Sequence, residues 1–351
     1  MFSDKIISWY TENGRQLPWR DTDNPYYIWL SEIILQQTRI EQGRSYYERF
    51  VKEYPTVSHL AEASEEQVLK SWQGLGYYSR ARNLHAAARH IAFDLDGMFP
   101  STYEGILSLK GVGRYTAAAI ASFAFGLPYP VIDGNVYRLI ARLYRIYTPV
   151  GTSQAYNKFE QVLMQLIDRE RPGMFNQAIM DFGSMQCKPL GCDCTNCIFR
   201  QECLAYRDGV VEELPIRPQS VKVKERYFYY FDIRWNVPRP TIVVQQRGEG
   251  DIWQGLYELP LYEVERPIGD SVLLERLGEV LRTWMGEAPR NLTVGPCLTH
   301  KLTHRTIKAQ FVQVFFDCKP TKMLEKMRAL ELSELKSLPI SRLIDRYLSE
   351  L

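Results

Sequence analysis

Five of the seven cysteines in this chain lie within one short segment, between Cys187 and Cys203. Seven is an odd number, and cysteines clustered this closely indicate metal ligation rather than disulfide bonds. Four thiolates in so few residues can surround one metal centre. The segment therefore predicts a fold that closes around a bound metal group.

The spacing of the cysteines leaves the kind of metal open. Cys187, Cys194, Cys197 and Cys203 are separated by six, two and five residues. Structural zinc normally takes two close pairs from separate arms, and this segment has only one close pair. A cubane iron–sulfur cluster accepts uneven spacing because each iron needs one thiolate. Spacing alone leaves zinc and an iron–sulfur cluster equally open, with Cys192 as a spare thiol inside the loop.

Composition limits the partners and the compartment. The 351 residues are 45% hydrophobic, enough for two or three domains, but the net charge is only +2. Binding to nucleic acid would therefore depend on local clusters of basic side chains and backbone donors. No run of 18 apolar residues is present, and residues 1–14 read as an amphipathic helix rather than a signal peptide. We expect a cytoplasmic protein, with Cys297 and Cys318 buried in its core.

Two regions of different character follow one another. Residues 1–208 have the three- and four-residue apolar spacing of helices, and one helix is predicted from Asn24-Pro25 through Leu35 toward Gly43. Residues 213–226 contain two prolines and four basic residues, and we interpret them as a linker. Beyond them, β-branched and aromatic runs alternate with helical segments, which predicts a mixed α and β domain.

A glycine-rich turn stands between two predicted helices. Gly111 and Gly113 in the sequence LKGVGRYTA can expose consecutive N–H groups at a helix N-terminus, which is a natural phosphate cradle. A lone G-x-G is more often an ordinary helix–helix turn. Asp133 follows 18 residues after Tyr115 and begins the next helix, where its charge suits the helix dipole. Taken alone, Asp133 is a plain N-cap and Asn135 a polar turn residue.

Together, these features resemble the helix–hairpin–helix DNA glycosylase superfamily and, within it, the MutY adenine DNA glycosylases. Further similar stretches are residues 17–20 (LPWR), 29–38 (WLSEIILQQT), 74–84 (GLGYYSRARNL) and 175–178 (FNQA). The resemblance spans most of residues 5–208 and is weaker after residue 226. It implies a [4Fe–4S] cluster on Cys187, Cys194, Cys197 and Cys203.

The resemblance also implies a catalytic set of Glu32, Asp133, Tyr115 and Asn135. Glu32 would protonate adenine and then activate water, while Asp133 would stabilise the cationic sugar. Apolar neighbours on the helix would raise the pKa of Glu32, although a lone helical glutamate is more often a solvated surface residue. Related lyases such as endonuclease III have a lysine where this chain has Tyr115, so strand cleavage by that route should be absent.

Adenine must leave the duplex to be attacked, and the resemblance assigns residues to that step. The predicted base pocket consists of Trp19, Arg20, Leu35 and Gln177. The residues predicted to fill the vacated stack and probe the opposite base are Gln37, Thr38, Leu75 and Tyr77. Core packing is the alternative for Leu75 and Tyr77, although the flanking glycines indicate an exposed turn. Arg80 and Arg82 are equally well explained as phosphate contacts and as surface cations.

The C-terminal region resembles the Nudix-like module of MutY enzymes through residues 247–249 and 253–260. The Nudix metal signature is missing, so we expect neither pyrophosphohydrolase activity nor a metal there. Thr303 and His304 lie where the family has a loop that reads 8-oxoguanine, but leucine and threonine replace its phenylalanine and serine. An ordinary polar hairpin is the alternative.

The sequence thus predicts an all-α glycosylase domain (1–212), a linker (213–226) and an α+β Nudix-like domain (227–351). The expected enzyme is a monomeric, monofunctional adenine DNA glycosylase of base-excision repair. Its expected substrate is double-stranded DNA with adenine opposite 8-oxoguanine or guanine, and no membrane is involved. Two competing hypotheses are a glycosylase/lyase for oxidised pyrimidines and a non-catalytic iron–sulfur protein that binds DNA.

Overall fold

The computed structural model of this protein describes residues 1–217, 223–237 and 241–350. Contacts between Cα atoms divide the chain into two compact units, Met1–Glu62 with Asn83–Gln219 and Ala63–Arg82 with Ser220–Leu351. Helices dominate the first 217 residues, and sheets and helices combine after them. This architecture confirms the predicted fold class. Among the described residues, no helix has both the length and the apolar character needed to cross a bilayer.

Twelve α-helices precede the first strand in the described part of the chain. They are α1 (Phe2–Asn13), α2 (Pro25–Leu35), α3 (Ile40–Glu53), α4 (Val57–Glu62), α5 (Glu65–Ser71), α6 (Ser79–Arg89), α7 (Tyr103–Leu107), α8 (Arg114–Phe125), α9 (Gly134–Leu143), α10 (Ser153–Leu166), α11 (Pro172–Met185) and α12 (Leu204–Arg207). A π-helical turn, His90–Asp94, extends α6, and a 3-10 turn, Val211–Glu213, follows α12.

Helix α2 begins as predicted but ends earlier. The Asn24 side chain accepts a hydrogen bond from the backbone N–H of Tyr26 and caps the helix. The prediction of one helix running toward Gly43 is wrong, because α2 stops at Leu35 and Gln37 adopts a left-handed φ of 56°. Gly43 belongs to α3, where an added Cβ would lie 2.5 Å from Leu35 Cδ2. A glycine at this position allows α3 to pack against the end of α2.

Close packing fixes the start of α9 in the first unit. A Cβ on Gly183 of α11 would lie 2.8 Å from the carbonyl oxygen of Asn135, so the two backbones touch. The buried amide of Asn176 accepts a hydrogen bond from Val131 N (3.1 Å) and donates to the Tyr129 carbonyl (2.8 Å). These contacts hold the loop between α8 and α9, and with it the residues that begin α9.

The second unit contains two sheets. Its strands are β1 (Lys224–Trp235), β2 (Thr241–Gln246), β3 (Tyr257–Glu258), β4 (Leu261–Val264), β5 (Asn291–Lys301), β6 (Arg305–Phe316) and β7 (Met327–Glu331). One sheet has the order β4-β1-β6-β5, with β1 and β6 parallel and the outer pairs antiparallel. The other has the order β3-β2-β7 and is antiparallel.

Strand β1 contributes to two cores because successive side chains point to opposite faces. Tyr230 joins a cluster with the terminal helix α15 (Arg342–Ser349). Phe231 joins the other cluster, which is covered by α13 (Asp270–Met285). A short helix, α14 (Leu332–Leu335), follows β7. The middle of the strand is therefore buried on both faces, which explains its run of aromatic residues, YFYYF.

Residues 63–82 pack with the C-terminal part of the chain. The Lys70 ammonium donates to the Leu338 carbonyl (3.0 Å), and the Tyr78 hydroxyl donates to the Ile340 carbonyl (3.3 Å). No sequence pattern indicates this grouping, and the domain boundaries at residues 212 and 226 stay predictions.

Two details after residue 213 differ from expectation. Strand β1 begins at Lys224, within the predicted linker, and residues 218–222 of that linker lie outside the described residues. Cys297 and Cys318 are exposed, so their expected burial is wrong. Cys297 lies on β5, whose outer edge pairs with no further strand in the described structure, and Cys318 follows the end of β6.

Candidate active site

Two predicted catalytic carboxyls line the same cavity in the first unit. The cavity has a volume of about 230 Å³, and both Glu32 of α2 and Asp133 at the start of α9 border it. Tyr115 of α8 and Asn135 of α9 also line it. The structure therefore brings together all four residues of the predicted catalytic set, although they come from three separate helices.

Glu32 is a buried carboxyl, not a solvated surface residue. Only 8% of its surface is exposed. Burial raises the pKa of Glu32 from 4.5 to about 7, opposed by a hydrogen bond from Tyr115 and reinforced by the charge of Asp133. Burial also raises the pKa of Tyr115 well above its ordinary value, so its hydroxyl stays a neutral donor. Glu32 can thus hold and release a proton near neutral pH.

Asp133 is both the N-cap of α9 and a wall of the cavity. Its carboxylate accepts hydrogen bonds from the backbone N–H groups of Asn135 (2.9 Å) and Val136 (2.8 Å) and from the Asn135 side-chain amide (2.7 Å). The Asn135 amide oxygen in turn accepts from Arg138 (2.9 Å). Burial raises the pKa of Asp133, and these donors oppose the rise. The arrangement holds a carboxylate rigidly beside Glu32.

The predicted base pocket coincides with this cavity. All four residues predicted for the base pocket line the cavity: Trp19, Arg20, Leu35 and Gln177. Thr38, which was predicted to fill the vacated stack, lines it as well. The ring of Tyr47 meets Trp19 edge-on at 5.4 Å and fixes its plane. Gln37 is exposed and is not among the lining residues.

Behind the pocket lies a polar group that the sequence analysis missed. Asp181 of α11 is completely buried and accepts paired hydrogen bonds from Arg20 (2.7 and 2.8 Å) and further ones from Arg15. The Tyr10 hydroxyl lies between Arg20 and Gln177. The only signal in the sequence was an aspartate within the apolar run of α11, four residues after Gln177.

The predicted phosphate cradle has the required backbone. Gly111 has φ of 82°, and an added Cβ would lie 2.6 Å from Asn83 Cβ, so this position requires glycine. Gly113 is the N-cap of α8, and, its chain neighbours apart, no atom of the described residues lies within 4 Å of the place its Cβ would take. The structure thus leaves space beside Gly113, at the start of α8.

Two of the four residues predicted to fill the vacated stack and probe the opposite base, Leu75 and Tyr77, lie in the second unit. Tyr77 is 44% exposed with φ of 47°, whereas Leu75 is buried. The Tyr77 hydroxyl forms a hydrogen bond with the Thr303 hydroxyl, so the structure joins two residues that the sequence assigned separately. His304 next to them is exposed.

Arg80 and Arg82 make internal contacts. Arg80 donates to the carbonyls of Leu75 (3.4 Å) and Gly76 (3.3 Å), and its guanidinium lies over the Tyr77 ring. Arg82 donates to the carbonyl of Gln254 (2.9 Å). Arg80 therefore holds the turn that presents Tyr77.

All five clustered cysteines line one cavity, together with apolar side chains such as Phe182 and Phe199. Arg142 supplies positive charge there, donating to the sulfurs of Cys187 (3.4 Å) and Cys192 (3.7 Å). The sulfur atoms of Cys192 and Cys194 lie 3.5 Å apart, so the thiol of Cys192, which was predicted to be a spare one, lies in the same site. Across the described ranges, no three potential ligands converge as they would on a single ion.

Comparison with known proteins gives a family for each part of the chain. Residues 30–167 match the HhH-GPD superfamily base excision DNA repair protein model, and residues 237–350 match the NUDIX domain model. The fold is similar to that of a thermostable thymine-DNA glycosylase, with a TM-score of 0.53, 29% identity, and coverage of 59% of this chain and 95% of that one. Fold and site thus define a DNA glycosylase of the helix–hairpin–helix class.

Proteins with similar sequences indicate which DNA glycosylase family this chain belongs to. The adenine DNA glycosylase of Buchnera aphidicola (subsp. Acyrthosiphon pisum) is 31% identical over 264 residues, which cover 75% of this chain and 75% of that protein. The Homo sapiens adenine DNA glycosylase is 40% identical over 222 residues, or 61% of this chain and 41% of that protein. This chain belongs to the adenine DNA glycosylases, the MutY family, a family of base-excision repair enzymes. The predicted family and enzyme class are confirmed.

Proposed function

We propose that this enzyme is a monofunctional glycosylase that removes adenine opposite 8-oxoguanine or guanine in duplex DNA. The observation that carries the proposal is the pair of carboxyls on the wall of one cavity, Glu32, which is buried, and Asp133, which is half-buried. We further propose that it acts as a monomer in the cytoplasm, where its DNA would lie.

Glu32 supplies the proton. Since its pKa is about 7, roughly half of the molecules hold the proton at neutral pH. Protonation of the extruded adenine turns the base into a good leaving group. The resulting Glu32 carboxylate then accepts a proton from the attacking water. The Tyr115 hydroxyl stabilises that carboxylate by donating a hydrogen bond to it.

Asp133 supplies the opposite charge. Departure of the base leaves positive charge on the sugar, which a nearby carboxylate stabilises. The three N–H donors that hold Asp133 fix its position before the charge develops. Because Tyr115 stands where a lyase has lysine, no Schiff base with the sugar forms there.

Duplex DNA would be held and opened by separate elements. The N–H groups around Gly111 and Gly113 receive a backbone phosphate. Gln37, Thr38, Leu75 and Tyr77 occupy the space that adenine leaves. Thr303 and His304 contact the opposite base, and the hydrogen bond between Tyr77 and Thr303 supports this joint role.

The cysteine cavity is proposed to hold a [4Fe–4S] cluster on Cys187, Cys194, Cys197 and Cys203. The cysteines line one cavity, and their uneven spacing suits a cluster in which each iron takes one thiolate, so the spacing and the family match together favour the cluster over zinc. When bound, the cluster would supply four covalent links across the loop and a redox-capable centre. Arg142 would balance part of its negative charge.

A glycosylase assay tests the proposal. Duplexes with A:8-oxoguanine, A:G and A:T are incubated with enzyme, and half of each sample is treated with alkali. We expect strand breaks at adenine in A:8-oxoguanine and A:G, only after alkali, and no DNA adduct after borohydride reduction. Release of an oxidised pyrimidine, a trapped adduct or equal activity on A:T would contradict the proposal.

The contacts to the opposite base need their own variants. Thr303→Ala removes the hydroxyl that Tyr77 contacts, and Thr299→Ala, on β5, is the matched control. We expect Thr303→Ala to reduce the preference for A:8-oxoguanine over A:G while the rate on A:G stays unchanged. If both variants keep the wild-type preference, Thr303 does not read the opposite base.

A further inference from the structure

A chain of hydrogen bonds runs behind the base pocket and ends on one pocket residue. Asp181 binds both terminal nitrogens of Arg20, and Arg20 Nη1 also donates to the Tyr10 hydroxyl oxygen (3.4 Å). The Tyr10 hydroxyl lies 2.6 Å from Gln177 Oε1. Gln177 lines the cavity, whereas Tyr10 is not among the lining residues.

The direction of each hydrogen bond follows from the chemistry of the groups. Burial alone would raise the pKa of Asp181, but the hydrogen bonds from Arg20 and Arg15 outweigh it and lower the pKa, so Asp181 is an acceptor. Arginine can only donate. The Tyr10 oxygen therefore accepts from Arg20, and its single proton is donated to Gln177 Oε1, which lies 2.6 Å away. This network favours one orientation of the amide.

The orientation determines what Gln177 presents to a ligand. With Oε1 held by Tyr10, the Nε2 group is the free arm, and it donates to no protein atom of the described residues. The opposite orientation would place Nε2 against the Tyr10 oxygen and take away the Oε1 acceptor to which the Tyr10 proton is donated. A donor in the pocket selects bases with an acceptor nitrogen, such as the ring nitrogens of a purine.

We propose that Tyr10 is a positioning residue that orients the Gln177 amide, so that its N–H groups face an acceptor on the extruded base. The proposal rests on the proposed base pocket. Tyr10 acts through Gln177 and does not touch the substrate. Loss of its hydroxyl should release the amide and weaken recognition of the base without changing contacts to the DNA backbone.

Binding to two duplex probes tests the proposal in the full chain. One probe has a non-hydrolysable 2′-fluoro adenosine opposite 8-oxoguanine, and the other has a tetrahydrofuran abasic site there. Tyr10→Phe should weaken binding of the adenine probe about 3- to 10-fold, as expected for one neutral hydrogen bond. Binding of the abasic probe should not change. Equal weakening of both probes would show that Tyr10 has only a structural role.

A double-mutant cycle isolates the coupling. In a Gln177→Leu background, Tyr10→Phe should have no further effect on the adenine probe, and a persisting effect overturns the proposal. Tyr26→Phe is the matched control, because the Tyr26 hydroxyl also donates a hydrogen bond inside the protein, but to the Tyr54 carbonyl (2.7 Å) and not to Gln177. We expect it to leave the ratio of the two affinities unchanged.

A second variant covers the case in which Tyr10→Phe does not fold. Gln177→Glu keeps an acceptor for Tyr10 but removes the donor on the other arm. It should lose affinity for the adenine probe selectively, and wild-type affinity would overturn the proposal. A failure of the proposed function would give a different result: wild-type enzyme itself would not distinguish the adenine probe from a matched guanine probe.

Discussion

Replacing Glu32 with glutamine should abolish activity and stabilise the protein at alkaline pH. The pKa of Glu32 rises from 4.5 in an exposed carboxyl to about 7 in the folded protein. The folded state therefore binds this proton more tightly, so its stabilising effect is full below pH 4.5 and is lost as pH rises through 7. At about 1.4 kcal/mol for each tenfold change in proton affinity, the loss reaches about 3 kcal/mol at pH 8.

Glutamine carries no charge at any pH and can still accept the Tyr115 hydrogen bond. Glu32→Gln should therefore be up to about 3 kcal/mol more stable than wild type at pH 8, which corresponds to a rise in Tm of roughly 6–12 °C. The difference should nearly vanish at pH 4.5. Loss of the general acid should slow base release by at least about 100-fold.

Thermal unfolding followed by circular dichroism at pH 4.5 and 8 measures the stability. Single-turnover rates on an A:8-oxoguanine duplex measure the activity. Glu41→Gln, a change at an exposed position of α3, is the control and should alter neither. The wild-type rate should fall about tenfold for each pH unit above 7. An active variant, or one with the same Tm difference at both pH values, would refute the reasoning.

Three further changes test other parts of the structure. Asp133→Asn keeps the N-cap but loses the charge, so the rate should fall about 100-fold or more with little change in Tm. Cys197→Ser should lower the iron content of purified protein while Cys192→Ser should not, and the reverse result would reassign the ligands. Gly183→Ala places a Cβ against the Asn135 carbonyl and should cost about 1–3 kcal/mol in urea unfolding.

In the helical unit, the chemical roles of single residues were easier to predict than the contacts between residues far apart in the sequence. Glu32 and Asp133 stand in strings of residues that resemble a family, so their chemistry could be predicted from short segments. The hydrogen-bond chain behind them could not, because Tyr10 and Gln177 are 167 positions apart. Only packing of α1 on α11 brings them together, and no local pattern reports that contact.

The second unit was harder to predict for a related reason. Strand β5 alternates weakly between partly buried and exposed residues, so its apolar period is faint. The parallel pairing of β1 with β6 joins segments about eighty residues apart. Residues 63–82 have an ordinary helical pattern, and that pattern does not encode which other elements they contact.

The contacts of residues 63–82 affect how such genes can be cut and recombined. A fragment ending at residue 217 would keep this segment but lose the carbonyls that receive Lys70 and Tyr78. It would also expose Leu69, which packs beside Gly255. Exchange of C-terminal modules between relatives should therefore succeed only when residues 63–82 are exchanged with them, so the crossover point best tolerated by this chain is not the linker.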